Sequence, residues 1–191
     1  MSKERMEAFS DGVIAIIITI MVLQLTVPHG ADLAALLPLA PIFISYILSY
    51  IFLGIYWNNH HHLLQAVEHV DGRVLWANMH LLFWLSLIPF ATGWMGENHF
   101  AAWPVVIYGG VLLFAAVAYF ILTRALIALH GRDSVLAAAV GADFKGKISV
   151  VIYLIAIMVA FISSWFAFLL YILVAVMWLV PDRRIEKTLV Q

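Results

Sequence analysis

The sequence predicts an all-α, polytopic membrane protein of six transmembrane helices, and three observations carry that prediction. Hydrophobic residues make up 65% of its 191 positions and charged residues only 11%, against roughly 25% charged in an ordinary soluble domain. Apolar runs of spanning length follow one another with short breaks of charge, Pro or Gly, and a hydrocarbon core of about 30 Å takes roughly 20 apolar residues per helix. All ten Lys and Arg fall on one side of the membrane when six spans are drawn, the bias expected of cytoplasmic loops.

The runs place spans near 8–27, 36–58, 74–95, 101–123, 147–163 and 165–181. The first is preceded by Lys3 and Arg5, but also by Glu4 and Glu7, with Asp11 inside it and no convincing cleavage site after it. It reads as a retained helix and not a signal peptide. Pro28, Pro38 and Pro41 bracket the start of the second span, where a missing N–H is tolerated. The stretch from Gly131 to Gly146 is the longest connection, and its apolar centre, Leu136 to Val140, suits a short interfacial helix.

The last two spans are settled by charge. Between Ile148 and Val180 no residue is charged, too long a stretch for one untilted span and enough for two short helices turning at Ser163 and Ser164. Lys3, Arg5, Arg73, the segment from Arg124 to Lys147, and Arg183, Arg184 and Lys187 then share one side. Five spans would send the last three outside. Both termini are therefore expected in the cytoplasm, and the outer loops carry only Asp32 and Glu97.

Residues 1–191 are thus read as a single six-helix domain in a lipid bilayer, with no room for an extramembrane enzyme. There is no Cys, which excludes disulfides, thiolate metal sites and thiol nucleophiles. No nucleotide or phosphate motif occurs, and no cofactor or nucleic acid is expected.

Polar groups in or near a span are the best functional pointers, because a charge at the bilayer centre costs roughly 3 kcal/mol or more. In the first helix these are Arg5, Ser10, Asp11 and Thr19; in the second, Ser45, Ser49, Asn58, Asn59 and His60 to His62; in the third, Asn78 and His80. At 100° per residue Asp11 points away from Ile16, Ile20 and Leu23. It either faces neighbouring helices, where Asn58, His61 or His80 would donate to it, or sits in water at headgroup level. Ile16, Thr19, Ile20 and Leu23 follow the spacing of one helix face, which can meet lipid, core or a pore. The Thr19 hydroxyl can also simply bond back to the carbonyl of Ala15. Three consecutive His cannot meet one ion, since neighbours on a helix point 100° apart. A haem held by His61 and His80 stays open as an alternative, as does a proton or other cation relay through Asp11 and the histidines, or a membrane scaffold without transport.

The stretch Arg5-Met6-Glu7-Ala8-Phe9-Ser10-Asp11-Gly12, continuing through Ala15-Ile16 and Thr19 to Leu23, resembles the first-helix signature of the transmembrane protein 175 family. Tyr56-Trp57-Asn58-Asn59-His60-His61 and the third-span segment from Asn78 through Leu85-Ser86-Leu87-Ile88-Pro89-Phe90 resemble family patterns as well. The resemblance implies a non-classical potassium channel fold and a potassium-selective channel. One copy of the signature implies a homotetramer, in a bacterial inner membrane. It further implies a pore lined by the first helices, with a constriction at Ile16, then Ile20 and Leu23, and with Thr19 as the pore-facing hydroxyl. Arg5, Phe9, Ser10 and Asp11 match the signature that holds the first helix to its neighbours, with partners at His61, Trp76 and His80. No Thr-Val-Gly-Tyr-Gly filter occurs, so selectivity by a carbonyl cage is unavailable.

Overall fold

The computed structural model describes residues 2–131, 133–141 and 143–179. Arg183, Arg184 and Lys187, on which the cytoplasmic C-terminus was argued, lie outside them. Among the described residues eight α-helices follow in order: α1 (Lys3–Val22), α2 (Ala40–Gln65), α3 (Gly72–Ser86), α4 (Ile88–Glu97), α5 (Ala102–His130), α6 (Val135–Val140), α7 (Phe144–Val159) and α8 (Ser164–Leu179). A 3-10 segment, Leu33–Leu39, leads into α2. No strand occurs among the described residues. Each expected span has its counterpart: α1, α2, α3 with α4, α5, α7 and α8. The rods Leu33–Gln65, Gly72–Glu97 and Ala102–His130 are long and apolar enough to cross a membrane by length and composition alone. Helix α1 carries charge in its first turns, and α7 and α8 are 16 residues each, about 24 Å at 1.5 Å per residue.

Boundaries differ from expectation where local chemistry decides them. The third span is broken at Leu87 into α3 and α4, because Pro89 brings no N–H and its ring crowds the carbonyl four residues back. Helix α1 begins five residues earlier than the apolar run, so Arg5 and Glu7 are helical, and Leu23 is its C-cap. Helix α2 continues to Gln65, so the His run is helical. Pro41 stands in the first turn of α2. Asp71, Ser134 and Asp143 cap α3, α6 and α7 by accepting from the N–H groups of Val74, Ala137 and Gly146, which satisfies donors a helix start otherwise leaves orphaned.

Helix α5 is the spine, packing against α3, α4, α7 and α8, while α1 packs on α2, α3 and α4. Close approach to the spine depends on a missing side chain at Gly109. A Cβ there would overlap the Tyr171 ring, whose hydroxyl donates to the Val105 carbonyl at 3.1 Å. Small residues at such crossings let membrane helices pack by contact where lipid offers no hydrophobic drive. The tight turn from α4 to α5 holds Phe100 at φ 58°, unusual for a bulky residue. Its buried ring is clasped by Trp165 and Phe168 of α8, with centroids at 4.7 and 4.6 Å.

Candidate ion pathway

Helix α1 has two faces. Met6, Ser10, Ile14, Ile17 and Met21 recur at three- and four-residue steps and are buried against the other helices. On the opposite side Ile16 is 58% exposed, Ile20 46% and Leu23 79%. Thr19 is exposed between them, and Ala8, Phe9, Gly12 and Ala15 extend the open stripe toward the basic end. The four residues expected on one face therefore do share one, and among the described residues of the single chain nothing covers it. Thr19 Oγ1 donates to the Ile16 carbonyl at 2.9 Å, not to Ala15. A hydroxyl carries one hydrogen and two lone pairs, so with its hydrogen spent inward the oxygen keeps acceptor capacity for a cation.

The buried face is tied down by side-chain hydrogen bonds near the basic end. Ser10 Oγ donates to the Met6 carbonyl at 2.8 Å and accepts from Asn78 Nδ2 at 2.9 Å. The Asn78 oxygen meets His60 Nε2 at 2.8 Å. An amide oxygen only accepts, so His60 carries its proton on Nε2, and its Nδ1 is buried without a partner among the described residues. One turn of α1 away, Glu7 Oε1 meets His61 Nδ1 at 2.8 Å, and Gln65 Nε2 lies 2.8 Å from His61 Nε2. The Gln65 amide donates to Nε2, so His61 donates its Nδ1–H to Glu7 Oε1. Trp57 Nε1 donates to Asp11 Oδ1 at 3.0 Å, and the Trp57 ring stacks on His61 at 6.3 Å and 17°. Glu7, Ser10 and Asp11 stand at the i, i+3, i+4 spacing that gathers groups on one helical surface. Both carboxylates of α1 in this region are thus held by α2.

Of the residues expected to hold α1, Ser10, Asp11 and His61 take part. The partner of Asp11 is Trp57, in place of Asn58, His61 or His80, because α2 is rotated so that Trp57 meets it. Arg5 and Phe9 are exposed, Trp76 is 78% exposed, and none of them joins the network. His80 Nε2 accepts from Trp84 of its own helix at 2.9 Å. His61, held by Glu7 and Gln65, and His80, held by Trp84, therefore have separate partners. No cluster of three or more His, Cys, Asp or Glu suited to a metal occurs among the described residues.

Gln24 was not among the expected residues. Its amide donates to the Pro89 carbonyl at 2.8 Å, and it fits because Gly93 offers no Cβ, which would stand 2.9 Å from Gln24 Cδ. The far end of α1 is thereby fixed to α4. Deeper in the bundle Ser49 Oγ joins Thr92 Oγ1 at 2.6 Å and the Tyr108 hydroxyl at 3.0 Å, linking α2, α4 and α5.

Residues 5–89, which hold the stripe and its network, match the family model described as endosomal/lysosomal potassium channel TMEM175. The chain is 54% identical to a protein of Chryseobacterium sp. (strain P1-3) named a potassium channel, over 99% of this chain and 98% of that one. It is 31% identical to a protein of Gallus gallus named an endosomal/lysosomal proton channel, over 70% of this chain and 30% of that one. Its fold superposes with a TM-score of 0.80 and 27% identity on a crystal structure titled a lysosomal potassium-selective channel TMEM175 homolog from Chamaesiphon minutus, covering 94% of this chain and 97% of that one. Matched along nearly its whole length in sequence and in fold, the chain belongs to the TMEM175 family of membrane ion channels.

Proposed function

We propose that this chain is the subunit of a potassium-selective channel, a homotetramer whose pore is lined by α1 of each copy. The observation that carries the reading is the division of α1 into a face bonded to α2 and α3 and an opposite face left open, with Ile16, Thr19, Ile20 and Leu23 on it. A helix so held keeps its open face in a fixed direction. Four copies meeting on an axis would bring four Ile16 side chains together, an opening too dry for a hydrated ion and able to gate by dewetting. Ile20 and Leu23 continue the apolar lining outward. Four Thr19 oxygens, their hydrogens spent on the Ile16 carbonyls, would replace part of the hydration shell of a weakly hydrated cation. Discrimination of potassium from sodium on this basis is modest. The names of the Chryseobacterium and Chamaesiphon relatives support potassium as the ion.

The whole chain, residues 1–191, acts as one channel domain in a bacterial inner membrane with both termini in the cytoplasm. That orientation rests on the placement of Lys and Arg. A C-terminal tag in intact cells should be protected from external protease; cleavage there would overturn the six-span orientation. The ion pathway is tested by flux in liposomes with potassium and sodium on opposite sides. Ile16→Asn should raise leak and weaken discrimination, and a tetrameric Ile16→Asn protein with unchanged flux and selectivity would place the constriction elsewhere.

A second reading is a proton or other cation pathway through Asp11 and the histidines. It is favoured by the gathering of Asp11, Glu7 and His61 beside the open stripe and by the name proton channel given to the Gallus gallus relative. Asp11→Asn separates the two: proton flux that falls while potassium flux persists would favour this second reading.

A further inference from the structure

A cavity of about 350 Å³ lies between α2, α5 and α7, closed at one side by Trp178 of α8, on the far side of α2 from the α1 network. Its size falls within the roughly 300–1,000 Å³ of ordinary small-molecule sites. Its inner end is formed by Phe52 and Tyr153, both buried, and its outer end by Asn59 and Lys147. From Phe52 to Asn59 is two turns of α2, about 10 Å. The cavity therefore runs from the basic end of the bundle toward the middle of the membrane.

Its chemistry changes along that length. Ile55, Val117 and Val150 line the walls with aromatic rings. Several polar groups of the wall are already bonded within it. The Tyr119 hydroxyl donates to the Asn59 carbonyl at 3.1 Å, and Trp178 Nε1 donates to Ser149 Oγ at 2.9 Å, which itself donates to the Lys145 carbonyl at 2.7 Å. Such a surface suits an apolar chain better than water, which needs two to four polar partners. At the outer end the lining carries one basic and one acidic residue, Lys147 and Asp143, and the residues next to it add basic charge. Lys147 lines it and is exposed, and two further basic groups that do not line the cavity lie against rings that do: Lys145 Nζ 5.9 Å from the Trp178 ring and the Arg124 guanidinium 5.5 Å from the Phe120 ring. Asp143 also borders the mouth, accepting from the Gly146 N–H at 3.2 Å.

We propose that this cavity binds an anionic phospholipid, one acyl chain filling the apolar part and the phosphate held at Lys147 with Lys145 and Arg124 alongside. An apolar interior about 10 Å deep, enough for the upper part of one acyl chain, and basic groups at its outer end match that molecule, and basic groups near an anionic membrane surface each attract it by an amount equal to about fivefold in affinity, about 1 kcal/mol. The lipid would brace α2, whose opposite side holds α1, against α5 and α7. The proposal does not depend on which face of α1 lines a pore.

The test uses the intact purified protein, equilibrated with equal amounts of phosphatidylglycerol and phosphatidylcholine and examined by native mass spectrometry. Phosphatidylglycerol should be retained at least about fivefold over phosphatidylcholine, as expected for one or more basic contacts. Ala116→Phe, which places a ring in the cavity, should remove the retained lipid. Lys147→Gln, at an exposed position and compared as folded, monodisperse protein, should keep an acyl-bearing lipid bound while lowering the preference for phosphatidylglycerol about fivefold. Equal retention of the two lipids by the unaltered protein would overturn the proposal. So would an unchanged preference in Lys147→Gln, or full lipid retention in a folded Ala116→Phe protein.

Discussion

The two halves of the molecule are held together by different means. In the first half, cohesion runs through polar side chains that cross from helix to helix: Ser10 to Asn78 to His60, Glu7 to His61, Asp11 to Trp57, Gln24 to Pro89. In the second half it runs mainly through rings and small residues, with Phe100 between Trp165 and Phe168, and Tyr171 against Gly109, Tyr108 and Tyr153. Hydrogen bonds fix the rotation of a helix because donor and acceptor must meet within narrow limits of distance and angle. Ring packing fixes position with more tolerance. The half with a face to present is the half whose helix rotation is fixed, and the family model covers that half alone, residues 5–89. The second half supplies the frame.

If that division is right, substitutions in the frame should change stability and leave ion preference alone. The largest effect is expected for Gly109→Leu, because even a Cβ there overlaps the Tyr171 ring and approaches Ile157. Overpacking costs about 1–3 kcal/mol or more, so the folded, monodisperse fraction in size-exclusion chromatography should collapse. A well-folded Gly109→Leu protein would show the frame to be looser than described.

Asn78→Ala comes next. It leaves the His60 Nε2–H without its partner in a buried place, a loss of about 1–3 kcal/mol. Thermal unfolding in detergent should shift downward by several degrees. Unlike Gly109→Leu, any surviving channel should also leak, because α1 has lost a bond that sets its rotation. Stability loss with unaltered leak would remove the distinction between the halves.

Asp11→Ala should be milder, since interhelical hydrogen bonds in membranes average only about 0.6 kcal/mol and Trp57 is half exposed. The yield of the proposed tetramer should fall more than ion preference changes. Assembly at the level of the unaltered protein would assign Asp11 to solvent. Thr19→Val is expected to have the smallest effect on stability, because the residue is exposed and bonds only to its own helix. Its effect should appear in the ratio of potassium to sodium flux, with little change in leak.

Much of this was legible in the sequence, and the exceptions have a common physical origin. That Ile16, Thr19, Ile20 and Leu23 share one face of α1 could be read because their spacing is a property of one helix; that this face lies open could not. The turn before Ser164 could be read because an uncharged stretch of that length does not fit one span. What periodicity does not give is the rotation of one helix relative to another. Trp57, Asn58, His60 and His61 are close in sequence and point in different directions, so the partner of Asp11 was expected among Asn58, His61 and His80. Likewise His60, not His61, enters the buried network with Ser10 and Asn78. The break at Leu87 carried a signal in Pro89, which an otherwise continuous apolar run concealed. Gln24 and the cavity between α2, α5 and α7 had no local signature, since each depends on residues far apart in the chain.

The central claim is that the open face of α1 meets the ion. The chain contains no Cys, so one thiol can be introduced at a time. Ile16→Cys protein, reconstituted in liposomes, should lose most of its potassium flux when treated with a water-soluble, positively charged thiol reagent, while Leu154→Cys on the exposed side of α7 should not. Complete labelling of the Ile16→Cys protein with no change in potassium flux would contradict the account and remove α1 from the lining of the pathway.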